Sequence, residues 1–203
     1  MADQATVDAY NNIAEEYHSR NSVTMYTKEY GIFESMFGSS KSVLEIGCGT
    51  GRDSKVLIGL GFDHVGIDAS EGMLKIAQEL VPEGKFKVGD FYNLEFSDNH
   101  FDGFWAAATF LHVPKADMPK ILAEARRVIK PNGVGFISVK QKKGMDEGYI
   151  ESKTTGTKRY FAFYEKEEFA NILKENNFEV VKINEDIEQD GTPWFYYFVK
   201  SLK

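Results

Sequence analysis

The sequence predicts an α/β fold, a doubly wound, seven-stranded and mostly parallel β-sheet with helices on both faces. Three observations predict it. Strand-like and helix-like segments alternate through the middle of the chain. The first strand runs into a glycine cluster and then a helix. No linker, internal repeat or low-complexity tract interrupts the 203 residues, so one domain is expected.

The elements follow in order. Residues 8–19 and 25–37 carry apolar side chains at helical spacing. Ile13, Ala14 and Tyr17 share one face, and Tyr26, Tyr30, Phe33 and Phe37 another. They predict two N-terminal helices, ended by Gly38-Ser39-Ser40. Ser42–Ile46 predicts the first strand and 53–60 a helix. His64-Val65-Gly66-Ile67 predicts a second strand, ending at Asp68. Glu71–Leu80 predicts a second helix, stopped by Pro82 and Gly84. Residues 86–88 predict a third strand ending at Gly89-Asp90, and Phe101–Ala106 a fourth. Over 118–129, Met118, Ile121, Leu122, Ala125, Val128 and Ile129 fall on one helical face. Asp117 is placed to cap that helix, and Pro119 suits its first turn. Pro131-Asn132-Gly133 predicts a turn, 134–139 a fifth strand and 165–174 a helix. Residues 178–183 and 194–199 predict the last two strands. The polar stretch 141–158 reads as a loop of the length that lids and binding loops have.

Composition narrows the function. Apolar residues make up 42% and charged residues 27%, an ordinary globular mixture. The formal net charge of -7 disfavours non-specific binding to phosphate backbones, so no nucleic-acid partner is expected. Residues 1–6 lack a basic start and an apolar run, which argues against a secretory signal. The most apolar stretch, 104–111, is too short to cross a bilayer, so no membrane association is expected. Cys48 is the single cysteine, which precludes an intrachain disulfide and suits a reducing, cytoplasmic setting. His18, His64, His100 and His112 are scattered, so no metal site is expected.

The informative segment is Val43-Leu44-Glu45-Ile46-Gly47-Cys48-Gly49-Thr50-Gly51. Glycines permit positive φ and let a ligand approach the backbone. The helix that follows aims free N–H groups and its positive dipole end at the same place. A glycine cluster alone also suits a strand–helix turn without a ligand. Two acids strengthen the ligand reading. Asp68 ends the second strand, 21 residues after Gly47, where a carboxylate can accept from ribose hydroxyls. Asp90 follows the third strand, where it can accept from an adenine amino group. Each acid alone reads as a solvated turn residue. Together they place a turn, a ribose acceptor and a base acceptor at the C-terminal ends of successive strands. The spacing Gly47-x-Gly49-x-Gly51, with Arg52 at the last glycine position of the dinucleotide fingerprint, speaks against a nicotinamide oxidoreductase. The Gly-Lys-Ser/Thr phosphate loop is absent as well.

Glu45 through Gly51, Gly66-Ile67-Asp68-Ala69-Ser70 and Gly89-Asp90-Phe91 resemble the class I S-adenosylmethionine-dependent methyltransferases. Phe101-Asp102-Gly103-Phe104-Trp105 and Val128-Ile129-Lys130-Pro131-Asn132-Gly133 followed by Gly135 resemble that family's later landmarks. The resemblance runs from about Tyr10 to Val199 and points to small free-standing members that act on metabolites. It implies a Rossmann-like sheet with an antiparallel last strand. It divides the domain 1–203 into cofactor-covering helices (1–40), a cofactor-binding half (41–140) and a substrate-side loop, helix and last two strands (141–203). It implies S-adenosylmethionine as cofactor, with S-adenosylhomocysteine as product. By resemblance, Gly47, Cys48 and Gly49 line the methionine part, with Gly51 at the helix start. Asp68 holds the ribose, with Ala69, Ser70 and Met73 near the adenosine. Asp90 accepts from the adenine amine, with Phe91 by the ring. Ala106 or Ala107 faces the methionine amino group, and Tyr17 closes over the sulfonium end. Arg52 departs from the family's commonest residue; it reads either as a partner of the cofactor carboxylate or as an exposed helix residue.

The expected function is methyl transfer by in-line displacement to a small-molecule acceptor, by a monomer or homodimer. The alternatives are a methyltransferase of RNA or protein and a non-catalytic S-adenosylmethionine-binding protein. The acceptor wall is expected from Thr109, Phe110 and His112 past the fourth strand and from Tyr160 and Tyr164. His112 is the histidine positioned to take a proton, and packing is its plainer reading. Lys158 and Arg159 are placed to meet an anionic acceptor, with a solvated loop as the plainer reading. Trp194 reads as core or pocket rim.

Overall fold

Alternate residues of each central strand face different apolar layers, and this alternation builds the architecture. The computed structural model describes every residue except 24–25, 142–143, 153–154 and 188–190. The helices are α1 (Gln4–Asn21), α2 (Thr27–Ser35), α3 (Arg52–Gly59), α4 (Glu71–Leu80), α5 (Met118–Val128) and α6 (Lys166–Glu175). The strands are β1 (Ser42–Ile46), β2 (Asp63–Asp68), β3 (Lys85–Val88), β4 (Phe101–Ala106), β5 (Ile129–Lys140), β6 (Glu147–Glu151), β7 (Lys158–Ala162), β8 (Phe178–Ile187) and β9 (Pro193–Ser201). Two 3-10 turns, Phe110–His112 and Lys115–Asp117, join β4 to α5.

Seven strands form one sheet in the order β3-β2-β1-β4-β5-β9-β8. Strands β1 to β5 run parallel, and β9 lies antiparallel between β5 and β8. This is the expected doubly wound sheet with an antiparallel last strand. Leu44, Ile46, Phe104, Ala106 and Ile137 pack in one layer with residues of α5 and α6. Val43, Trp105, Phe136, Tyr196 and Phe198 pack in the other with residues of α2 and α3. Trp105 stacks between Phe136 at 3.8 Å and Tyr30 at 4.9 Å, centroid to centroid. Such ring pairs add about 0.5–1.5 kcal/mol each beyond the area they bury.

Several expectations need correction. The first helix starts at Gln4 rather than residue 8, because Asp3 caps it by accepting from the Thr6 amide at 2.8 Å. The expected start of the second helix at Met25 lies outside the described residues. Asp117 sits at the start of α5 but makes no side-chain cap; it accepts from the Tyr92 hydroxyl at 2.8 Å. The turn at Pro131-Asn132-Gly133 lies within β5. Phe101 pairs with Ile129 and Gly103 with Val134, so the extra residues bulge out, with Asn132 at φ 60°.

The largest correction concerns the stretch 141–158. Its described residues include β6, which pairs antiparallel with β7 as a separate two-stranded sheet. Exposed and half-buried residues alternate along β6 and none is buried, so hydropathy gives little sign of a strand. The hairpin lies against α1. The Tyr160 amide donates to Thr6 Oγ1 at 2.8 Å, and the Tyr149 hydroxyl donates to Asp3.

Candidate active site

Strand order reverses between β1 and β4, and the crevice that such a reversal opens at the strand C-termini is where doubly wound sheets take ligands. The turn after β1 forms one side. Gly47, Gly49 and Gly51 all hold positive φ, at 74°, 53° and 81°. A Cβ on Gly47 would meet the Thr109 side chain at 2.2 Å, whereas one on Gly49 would meet nothing within 4 Å. Gly47 is therefore fixed both by conformation and by close approach, and Gly49 leaves bare space above the backbone. The loop after β4 forms the other side. Ala108 there holds φ 53°, and its amide donates to the buried Ser138 Oγ at 2.7 Å.

Asp68 closes β2 beside that turn. Its carboxylate accepts from the Gly49 amide and the Ser70 amide, both at 2.8 Å. Burial raises its pKa above the usual carboxylate value, against the pull of the surrounding amides. Two amide bonds leave lone pairs on both oxygens for further donors.

Two connected chambers fill the crevice. The first, about 90 Å³, is walled by Ile46, Gly47, Gly49, Ile67, Asp68, Ala69, Ser70, Met73, Gly89, Phe91 and Thr109, with α1 closing it through Val7, Tyr10 and Tyr17. The second, about 200 Å³, takes in Tyr26, Cys48, Thr50, Arg52, Asp53, Lys140, Arg159, Phe161 and Trp194. Tyr10, Tyr17, Gly47, Gly49, Ala107, Ala108 and His112 line both, so the chambers meet over them. The first chamber suits a nucleoside: a carboxylate for a diol and apolar walls for a ring. The second is polar and carries cations.

A hydrogen-bonded relay crosses the junction. His112 Nδ1 lies 2.6 Å from the Tyr160 carbonyl, which can only accept. That nitrogen therefore carries the proton, and Nε2 accepts from the Tyr10 hydroxyl at 2.8 Å. Arg159 Nη1 donates to the same Tyr10 oxygen at 3.1 Å. Burial drops the His112 pKa to about 3, the Tyr160 carbonyl opposing it, so the imidazole is neutral at pH 7.

The expected site residues divide clearly. Tyr17, Gly47, Cys48, Gly49, Arg52, Asp68, Ala69, Ser70, Met73, Phe91, Ala107, Thr109 and His112 line the chambers. Burial raises the Cys48 thiol well above its ordinary pKa, so it packs rather than reacts. Gly51 lies outside both chambers; it starts α3 against Ala77, where a Cβ would come within 3.2 Å. Asp90 sits beyond the first chamber, its carboxylate accepting from the Ala2 and Tyr92 amides at 2.9 Å each. Ala106 is buried in the sheet, so Ala107 is the cavity-facing one of the two alanines. Phe110 is wholly buried and stacks on Phe104 in the core. Tyr164 is also core, packed on Phe169. Tyr160 contributes its backbone carbonyl, while its ring meets Tyr149. Arg52 is not an exposed helix residue; its Nε and Nη2 bind the Asp53 carboxylate at 2.6 and 3.1 Å.

Sequence reasoning missed Asp53 and gave Tyr10 no role beyond its place in the cofactor-covering helices. Asp53 is buried and also accepts from Tyr30 Oη at 2.8 Å and Trp105 Nε1 at 3.1 Å. An acid next to an arginine at a helix start was the available signal. Phe161 and Lys140 join the second chamber from β7 and β5, a placement that local spacing does not encode.

The sheet and its crevice define a Rossmann-like domain. Residues 43–133 match a family described as a methyltransferase domain. The chain is 38% identical over 97 residues to the 2-methyl-6-phytyl-1,4-hydroquinone methyltransferase of Synechocystis sp., covering 46% of this chain and 30% of that protein. It is 36% identical over 95 residues to the demethylmenaquinone methyltransferase of Thermotoga maritima, covering 46% and 41%. The chain thus spans less than half the length of these two curated relatives. Its fold matches the Burkholderia thailandensis 1,6-didemethyltoxoflavin-N1-methyltransferase, solved with 1,6-didemethyltoxoflavin and S-adenosylhomocysteine. The TM-score is 0.76 at 18% identity, over 98% of this chain and 89% of that one. Residues 43–133 thus match a methyltransferase domain, and they sit within a sheet of the Rossmann-like methyltransferase fold.

Proposed function

We propose that this chain transfers the methyl group of S-adenosylmethionine to a small-molecule acceptor and releases S-adenosylhomocysteine. The observation that carries this reading is the pair of chambers meeting over the bare backbone at Gly47 and Gly49, with Asp68 in the wall of the first. S-adenosylmethionine supplies an electrophilic methyl group on a positive sulfur. Asp68 would hold ribose hydroxyls through its remaining lone pairs, and Ile67, Met73 and Phe91 offer apolar walls to the purine. Gly47 and Gly49 would underlie the methionine part, with Arg52 supplying positive charge from the second chamber. Tyr10 and Tyr17 cover the junction from α1 and exclude water. Holding donor and acceptor in line supplies up to about 7–11 kcal/mol of the barrier.

A small acceptor fits an acidic chain and a chamber of about 200 Å³. The relatives named above act on hydroquinone, menaquinone-type and toxoflavin-type rings, which supports a cyclic acceptor. His112 is a weak base with its lone pair already engaged by Tyr10, so the site favours acceptors that need no strong base. Among the described residues no helix is long and apolar enough to cross a membrane. A cytoplasmic setting suits the single buried Cys48.

The test is turnover. The protein is incubated with S-adenosylmethionine and a panel of small phenols, amines, thiols and aromatic acids, and S-adenosylhomocysteine is measured. Acceptor-dependent product that Asp68→Ala abolishes is expected. Tight cofactor binding with no acceptor-dependent product across the panel contradicts methyl transfer and leaves a binding protein.

A further inference from the structure

Among the described residues Arg159 is a cation without a counter-ion. It lies on β7 opposite Ile150, in the wall of the second chamber. Its guanidinium carbon stands 5.2 Å from the Tyr10 ring centroid and 5.3 Å from that of Phe161. Nη1 donates to Tyr10, while Nε is buried with no acceptor. No carboxylate pairs with it among the described residues. The chamber's acids are already engaged: Asp53 binds Arg52, and Glu45 accepts from Ser54 at 2.6 Å and bonds to His64 at 2.7 Å. Lys140 adds positive charge, its ammonium 4.8 Å from the Phe161 ring and 5.4 Å from Trp194. The adjacent Lys158 is exposed and faces Glu151 at 3.8 Å, so only one member of this basic pair enters the site.

Arg159 is half-buried, and its buried Nε has no acceptor, so an anion entering the chamber would find both a charge and an open donor. A guanidinium presents parallel N–H donors that match a carboxylate. The rings of Tyr10, Tyr26, Phe161 and Trp194 line the same chamber and suit a flat body. We infer that the methyl acceptor is an aromatic carboxylate whose carboxylate group is held by Arg159. This rests on the proposed function, since it assigns the acceptor end of the same site. It agrees with the weak base at His112, whose imidazole is further held neutral by the charges of Arg159 and Lys140. Arg159 is then the residue that determines specificity, and Lys158 plays no part.

Calorimetry on protein saturated with S-adenosylhomocysteine tests this. The probes are 4-hydroxybenzoate, cinnamate and 2-naphthoate, each against its methyl ester. At least one acid should bind about tenfold more tightly than its ester. Arg159→Gln should bring acid and ester within about twofold of each other while S-adenosylhomocysteine affinity and the melting temperature hold. Arg159→Lys, which keeps the charge and loses the fork, should retain part of the preference. Equal binding of acid and ester, no binding of any probe, or a preference that survives Arg159→Gln overturns the inference. Loss of S-adenosylhomocysteine affinity in a folded Arg159→Gln protein also overturns it, by assigning Arg159 to the cofactor. Retained S-adenosylhomocysteine binding by the parent protein leaves the proposed function standing in every one of these cases.

Discussion

The wall that follows β1, β2 and β4 and the wall made by α1 and the β6–β7 hairpin are built by different means. The first uses backbone: positive-φ glycines, the Ala108 turn and amides that hold Asp68. Its contacts span less sequence: 19 residues between Gly49 and Asp68, 30 between Ala108 and Ser138 and 62 between Gly47 and Thr109. The second uses side chains from distant segments. Tyr10 reaches His112 across 102 residues and Arg159 across 149, and Thr6 meets Tyr160 across 154. A backbone wall fits a constant ligand, and a side-chain wall is free to vary with the acceptor. The matched methyltransferase domain, residues 43–133, falls on the first wall and omits α1 and the hairpin.

The largest effect should come where the backbone wall meets the core. Asp53→Ala leaves the half-buried Arg52 guanidinium over the Tyr26 ring without its counter-ion, and the buried Tyr30 hydroxyl and Trp105 Nε1 without this acceptor. It should cost about 3–5 kcal/mol in urea unfolding. A cost below about 1 kcal/mol would mean that Asp53 does not tie the two together. Gly47→Ala forces a Cβ into positive φ and against Thr109. About 2–3 kcal/mol of stability and most S-adenosylhomocysteine affinity should go with it. A neutral outcome would remove the claim that backbone shape defines this wall.

The side-chain wall should show itself through pH. The unfolded His112 takes up a proton below about pH 6.5, whereas the folded ring stays neutral down to about 3. Across that window the unfolded chain binds more protons, so stability falls as pH falls, by about 1.4 kcal/mol per unit. Relative to its own value at pH 7, the parent should lose roughly 2 kcal/mol more than His112→Asn by pH 5. Parallel pH profiles for the two proteins would show that His112 is not held neutral. The smallest effect belongs to Lys158→Ala. An exposed pair at 3.8 Å should contribute less than about 0.5 kcal/mol, with acceptor-probe binding unchanged. A large change would erase the distinction drawn between Lys158 and Arg159.

The same contrast decides what the sequence reveals. Gly47, Gly49 and Asp68 were legible because a strand–turn–helix with an acid after the next strand specifies its own geometry. Asp90 lies outside the first chamber, where an amide of the N-terminal segment meets its carboxylate, a contact that strand spacing does not encode. Tyr164 turns into the core, which the sequence does not reveal because an aromatic run gives its alternation but not which face meets the core; Phe110 does so because the 3-10 turn after β4 aims it at Phe104. The stretch 141–158 reads as a loop because no residue of β6 is buried, and β6 pairs with β7 in a hairpin that docks on the distant α1. Arg159 reads from the sequence as a charge, and its half-buried place in the second chamber follows only from the hairpin's docking.

The central claim is that the backbone wall binds S-adenosylmethionine through Asp68. Calorimetric titration of the folded protein with S-adenosylmethionine and S-adenosylhomocysteine, alongside Asp68→Ala and with NADH as a control, tests it most directly. Micromolar binding of both ligands, lost in the variant and absent for NADH, is the predicted result. No binding of either ligand by folded protein, or binding that survives Asp68→Ala unchanged, would contradict it.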